Sequence, residues 1–182
     1  PRHYGRRAEA QRNAEMDQET AVVLALAHVY YCRLPTRQKR DRYLNLVDGI
    51  WRNHVGRGEY QNKFKMIVEA EQREYVQRMD VPPHLGAVAI NSALLENVFV
   101  LLVCIINRMP VFLVGKPGCS KTLAMQLILE NLRGKGSPFP ELPYVFELRY
   151  QCSEDSTSEG IEAIFDRARR KAAMDGDDVT YM

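Results

Sequence analysis

The sequence predicts an α/β protein with an incomplete parallel sheet, preceded by an all-α helical bundle. Residues 20–79 show the apolar periodicity of helices, whereas short apolar β-rich runs alternate with helices after Pro110. Alternation of strand and helix is typical of a parallel sheet. The composition, with 46% hydrophobic and 26% charged residues in 182, is that of a globular chain with one ordinary domain or two small ones.

Three helices are predicted in the first part of the chain. Residues 20–34 are apolar on most sides, residues 36–53 carry an amphipathic stripe, and residues 59–79 form a more polar helix. Val81-Pro82-Pro83 follows, and because proline cannot continue a helix, we place a domain boundary near it.

Strand and helix signals alternate in the second part. VFLV at 111–114 is an apolar β-rich run, typical of a strand buried on both faces. Ser156 to Glu159 has the spacing of a helix capping box. The predicted elements are a helix from Asn91, its N-cap, to Asn107, a strand at 111–114, a helix at 121–132, a strand at 144–149, a helix from Ser156 to about Met174 and a strand at 179–182.

The segment GKPGCSKT at 115–122 carries the clearest chemical signal. It lies between a predicted strand and a predicted helix, where a phosphate-binding loop (P-loop) belongs. In such loops, backbone N–H groups and a helix N-terminus bind phosphate. Here Lys121 would reach the β- and γ-phosphates of ATP, and Thr122 would hold Mg²⁺. The predicted ligand-binding residues are Gly115, Lys116, Pro117, Gly118, Cys119, Ser120, Lys121 and Thr122.

The loop departs from the pattern G-x-x-x-x-G-K-[ST] at one position. Ser120 stands where the pattern has its last glycine, and a serine fits there only if the backbone angles suit a residue with a side chain. The alternative is a loop that keeps the fold without binding a ligand.

Hydrolysis of ATP also needs an acidic residue at the carboxyl end of a strand. Asp177-Asp178 precedes the last predicted strand and so lies at the opposite edge of a parallel sheet. We therefore predict ATP binding and no catalytic residue within this chain.

Charge and cysteine content exclude several classes of protein. A formal net charge of +2 does not suggest a nucleic-acid partner, and the longest apolar run, at 98–106, is too short for a membrane span. The four cysteines have no zinc or disulfide spacing, which favours a reducing cytoplasm. Cys32, Cys104 and Cys152 are expected to be buried packing residues.

Three stretches of the sequence carry a likeness to a known family. They are AINSALLENVFVLLVCIINRM at 89–109, VFLVGKPGCSKTLAM at 111–125 and YVFELRYQCSEDSTSEGI at 144–161. Together they resemble the mysterin family of giant AAA+ proteins, which are also RING-type E3 ubiquitin ligases. The second stretch is similar to the unusual P-loop of that family, including a serine in the last glycine position.

The resemblance implies a domain organisation. It makes residues 20–81 the helical lid-like region of a preceding AAA+ unit, and residues 82–182 the first part of an AAA+ nucleotide-binding core that stops before its acidic Walker B strand end. Residues 1–19 are expected from their arginines to be a basic flexible tail. Partners would be neighbouring AAA+ units of the same parent chain and, through regions that this sequence lacks, the ubiquitin machinery.

Two functions besides an ATP-binding AAA+ segment are left open by the sequence. One is a helical protein-interaction module in which the P-loop is structural. The other is a small P-loop kinase, against which the missing acidic strand argues.

Overall fold

The computed structural model describes residues 18–54, 60–134, 136–175 and 179–181. Helices make up most of this part of the chain. They are α1 (Gln18–Val29), α2 (Arg37–His54), α3 (Tyr60–Arg78), α4 (Ser92–Ile106), α5 (Lys121–Asn131) and α6 (Ser158–Asp175), with 3₁₀ turns at Tyr31–Arg33 and Pro83–Leu85. The strands are β1 (Tyr144–Phe146) and β2 (Val179–Tyr181).

The predicted α/β class with a parallel sheet is wrong. β1 and β2 pair in parallel over three residues each, with Tyr144 opposite Val179, and the described ranges contain no wider sheet. The segment at 111–114 is not a strand, and Phe112 and Val114 are 92% and 94% exposed. An apolar run shows only that a segment is hydrophobic. A strand also needs a neighbouring strand that forms hydrogen bonds with its backbone N–H and C=O groups.

The helices of the first part lie close to their predicted positions. The first predicted helix divides into α1 and a 3₁₀ turn at Tyr31–Arg33. The N-cap prediction at Asn91 is confirmed, because its side-chain oxygen accepts a hydrogen bond from the Leu94 N–H at 2.9 Å. The predicted tail at 1–19 falls outside the described residues except for its last two.

Helix α4 lies at the centre of the main apolar core. It packs against α3 on one side and α5 on the other. The core joins residues of α3, α4, α5 and β1, so one cluster of apolar side chains extends across residue 82, where the sequence placed a domain boundary. Fully buried members from these elements include Tyr75, Leu94, Val98, Phe99, Leu102, Leu127 and Ile128.

Asn131 fastens the end of α5 to the chain after α3. Its side chain is buried, with Nδ2 donating to the Asp80 carbonyl at 2.8 Å and Oδ1 accepting from the Asp80 N–H at 2.7 Å. The same Nδ2 donates to the Leu127 carbonyl of α5 at 2.8 Å. One side chain thus satisfies both backbone groups of Asp80 and fixes α5 relative to α3.

Helix α6 is capped one residue later than the sequence predicted. Thr157 precedes the helix, and its Oγ1 accepts from the Gly160 N–H at 3.2 Å. The hydroxyl of Ser156 accepts from the Ser153 N–H at 2.7 Å and so closes the preceding turn.

Candidate nucleotide-binding site

The eight predicted residues form one turn that ends in the first residues of α5. Residues 117–123 line an open cavity of about 420 Å³ beside the helix N-terminus. Gly115 and Lys116 lie on the entering side of the turn and contribute backbone carbonyls to it. The motif therefore marks a single compact loop.

Two residues of the loop have left-handed backbone conformations. Gly118 has φ 81°, and Ser120, the N-cap of α5, has φ 57° and ψ 19°. Ser120 thus keeps the conformation that a glycine would take here, at a cost of roughly 1–2 kcal/mol for a residue with a Cβ. When left-handed residues stand at such close spacing in a loop, successive backbone N–H groups turn to one side, as in anion-binding nests.

Lys121 closes the loop on itself. Its Nζ donates to the carbonyls of Gly115 and Lys116, both at 2.8 Å, and lies 3.2 Å from the Sγ of Cys119. The Cys119 thiol in turn donates to the Lys116 carbonyl at 2.9 Å. These contacts place an ammonium group against the loop that the motif predicts to bind phosphate.

Gly115 lies close to the side chain of Cys119. A Cβ built on it would lie 2.9 Å from the Sγ of Cys119, closer than real Cβ contacts. A larger residue at 115 would displace this thiol, the terminal atom of a short side chain, from its contacts with Lys116 and Lys121.

The site has the electrostatics of an anion site. Helix α5, which has 11 residues, begins directly after this loop. Its N-cap residue, Ser120, makes no side-chain hydrogen bond to the first turn. Its first-turn N–H groups and the helix dipole favour a phosphate group. Thr122 is exposed at the second position of α5, and a hydroxyl oxygen is a ligand that Mg²⁺ accepts. The residues present therefore fit the phosphates of a nucleotide and their cation.

Asn97, on α4, was not among the predicted site residues. Its Nδ2 donates to the carbonyl of Cys119 at 2.8 Å and so ties the loop to the central helix. Glu96 and Asn97 interrupt the otherwise apolar sequence of residues 93–106, and that interruption is the signal that could have identified Asn97 from the sequence.

The remaining cysteines lie away from the loop. Burial raises the pKa of Cys32 to about 12, and burial also raises the pKa of Cys104, whose Sγ lies 3.5 Å from Nε2 of His28. Cys152 is exposed, so the expectation that it is a packing residue is wrong. The Asp177-Asp178 pair falls outside the described residues.

The described ranges contain no group of three or more His, Cys, Asp or Glu side chains placed to hold a metal ion. Within the same ranges, every helix is too short or too polar to cross a membrane.

A family model and two relatives of this chain carry the same family name. A family model described as the RNF213 AAA domain matches residues 87–182. The E3 ubiquitin-protein ligase RNF213 of Homo sapiens is 31% identical over 153 residues, which are 82% of this chain and 3% of that protein. The E3 ubiquitin-protein ligase rnf213-beta of Danio rerio is 44% identical over 86 residues, which are 46% of this chain and 2% of that protein. The chain thus spans a few per cent of the length of these relatives.

Proposed function

Because the chain belongs to the RNF213 AAA domain family, we propose that residues 115–122 bind ATP together with Mg²⁺. The observation that carries the proposal is the left-handed backbone of Gly118 and Ser120 directly before the N-terminus of α5. A loop of this shape turns N–H groups toward an anion, and the helix dipole adds to the attraction.

Each residue of the loop has a distinct role in this proposal. Gly118 and Ser120 supply backbone N–H groups for the phosphates, and Gly115 leaves room for the Cys119 thiol. Lys121 would exchange its bonds to the loop carbonyls for the β- and γ-phosphates. Thr122 would hold Mg²⁺, which neutralises phosphate charge when bound.

At the level of the parent protein, we infer a segment of a larger E3 ubiquitin-protein ligase that hydrolyses ATP. The relatives carry the name E3 ubiquitin-protein ligase, and this chain matches a small part of each. The acidic strand end that hydrolysis needs would lie elsewhere in the parent chain, and neighbouring AAA+ units of that chain would be partners of this segment. A cytoplasmic location remains a prediction from the cysteine pattern.

Titration with a fluorescent ATP analogue, with and without Mg²⁺, tests the proposal. We expect saturable binding that Lys121→Ala weakens by at least about tenfold, since a charge-assisted contact to phosphate contributes about 1.5–3 kcal/mol. Lys39→Ala is the matched control, because Lys39 is exposed on α2 and lies outside the loop. Equal affinity in the Lys121 variant, the control and the unchanged chain would remove the site assignment.

A helical interaction module with a structural P-loop is the second candidate. Two observations favour it: Lys121 already has partners in the loop carbonyls, and Phe112 and Val114 are almost fully exposed beside it. If this candidate holds, the ATP analogue does not bind at all, and Lys121→Ala destabilises the fold without changing any nucleotide affinity.

A further inference from the structure

One hydrogen bond joins the central helix to the candidate loop. Nδ2 of Asn97 donates to the Cys119 carbonyl at 2.8 Å, and the two residues are 22 positions apart in the sequence. Asn97 lies between well-packed residues of α4. The next two residues, Val98 and Phe99, are 0% exposed, and the preceding residue, Glu96, is fastened by a bidentate pair to Arg40 of α2.

The bond controls the direction of one peptide plane. The peptide between Cys119 and Ser120 is trans, so its carbonyl and its N–H point in opposite directions. Because Asn97 holds the Cys119 carbonyl toward α4, the Ser120 N–H points away from α4. Asn97 is absent from the walls of the cavity beside α5, whereas Cys119 and Ser120 both line it.

The strained backbone of Ser120 is the reason that this peptide needs a bond to hold its orientation. Its φ of 57° is unfavourable for a residue with a Cβ, and it is one of two non-glycine residues with positive φ in the described ranges. A flip of the peptide between Cys119 and Ser120 would bring φ of Ser120 to a negative value and relieve that strain. The flip would also break the Asn97 bond and reverse the Ser120 N–H.

We propose that Asn97 is a positioning residue for the nucleotide loop. Its bond to the Cys119 carbonyl holds the peptide before Ser120 in the orientation that a glycine would adopt without cost, and so compensates for the serine at this position of the motif. The role in ligand binding rests on the proposed ATP site, whereas the effect on loop order does not.

A double-mutant cycle between Asn97 and Ser120 tests the proposal. The variants are Asn97→Leu, which keeps the side-chain size and removes the donor, Ser120→Gly, and the two combined. In the Ser120 background, we expect Asn97→Leu to weaken binding of the fluorescent ATP analogue by about tenfold. The variant loses one hydrogen bond, and the peptide before Ser120 can then flip and release its backbone strain. In the Ser120→Gly background, we expect the loss to fall below about threefold, because glycine tolerates the left-handed conformation.

Asn107→Leu, at the C-cap of the same helix, is the matched control. Nδ2 of Asn107 donates to the Val103 carbonyl of α4 at 2.7 Å. This variant removes an amide of the same type without touching the loop, and we expect it to leave the affinity of the ATP analogue unchanged. An equal loss from Asn97→Leu in both Ser120 backgrounds, or no loss in either, would overturn the proposal.

Hydrogen exchange without nucleotide separates this proposal from the ATP site itself. We expect peptides covering residues 115–123 to exchange faster in Asn97→Leu and at the unchanged rate in Asn107→Leu. If the unaltered chain binds no ATP but this difference is found, the proposed function fails and the positioning role of Asn97 stands. Unchanged exchange in Asn97→Leu would overturn the positioning role whether or not ATP binds.

Discussion

The guanidinium of Arg40 and the carboxylate of Glu96 form a bidentate ion pair between α2 and α4. Nη1 lies 2.7 Å from Oε2, Nη2 lies 2.7 Å from Oε1, and Nε donates to the Leu34 carbonyl at 2.9 Å. The guanidinium carbon also lies 5.1 Å from the centre of the Tyr31 ring. The pKa of Arg40 is raised, chiefly by its hydrogen bonds to Glu96.

Arg40→Lys should therefore destabilise the fold, although it keeps the charge. Lysine cannot reproduce the planar fork or its bond to the Leu34 carbonyl, and the Arg40 and Glu96 side chains are only 25% and 23% exposed. We expect the free energy of unfolding, measured with urea, to fall by about 1–2 kcal/mol. The control is Lys65→Gln, since Lys65 and Asp41 are about half exposed and 3.7 Å apart, and a change below about 0.5 kcal/mol is expected. Similar losses in the two variants would contradict the assignment.

Asn131→Asp should cost more, because the amide of Asn131 is a donor that a carboxylate cannot replace. The substituted side chain would face the carbonyls of Asp80 and Leu127 without a proton to donate. We expect a loss of about 3 kcal/mol in urea unfolding at pH 7. Asn91→Asp is the matched control: there the oxygen accepts from the Leu94 N–H, a role that aspartate keeps, so its stability should hardly change. Equal effects of the two substitutions would refute the contacts assigned to Asn131.

Phe112→Ser should leave stability almost unchanged, despite the loss of a large apolar side chain. Phe112 is 92% exposed, so its replacement should alter the free energy of unfolding by less than about 0.5 kcal/mol. Phe99→Ala, at a position that is 0% exposed, should cost about 3–5 kcal/mol in the same experiment. A large loss from Phe112→Ser would favour the buried strand that the sequence predicted.

His28 should make stability depend on pH. Burial, with a smaller contribution from Arg33, lowers its pKa below the ordinary value of 6.5. The unfolded chain therefore binds a proton at a higher pH than the folded chain, so the stability from neutral His28 is full above pH 6.5 and is lost as the pH falls toward the lowered pKa. We expect urea unfolding to show this decline, and His28→Gln to reduce it. His84→Gln, at an exposed histidine, should not reduce it, and a decline of the same size in all three proteins would exclude His28 as its source.

The sequence predicted the helices well because their signals are local. Apolar periodicity and the Asn91 cap depend on residues within a turn or two, and α2, α3 and α4 begin and end within about two residues of the prediction. The sheet was predicted wrongly because pairing is not local. The apolar run at 111–114 resembles a buried strand, yet the described residues provide no strand beside it.

The candidate site was predicted in part. The motif identified residues 115–122, since spacing between glycines and lysine is visible in the sequence. It did not reveal that Ser120 takes the left-handed conformation or that Asn97 holds the adjacent carbonyl, because both depend on how α4 packs against the loop. Contacts between distant segments, such as Asn131 with Asp80, were missed for the same reason.

Hydrogen exchange of the chain, measured with and without Mg·ATP, is a direct test of ATP binding at residues 115–122. We expect slower exchange in peptides covering residues 115–123 when Mg·ATP is added, and no such protection in Lys121→Ala at the same ligand concentration. Exchange at 115–123 that is unchanged by Mg·ATP, or protection that persists fully in Lys121→Ala, would contradict ATP binding at this loop.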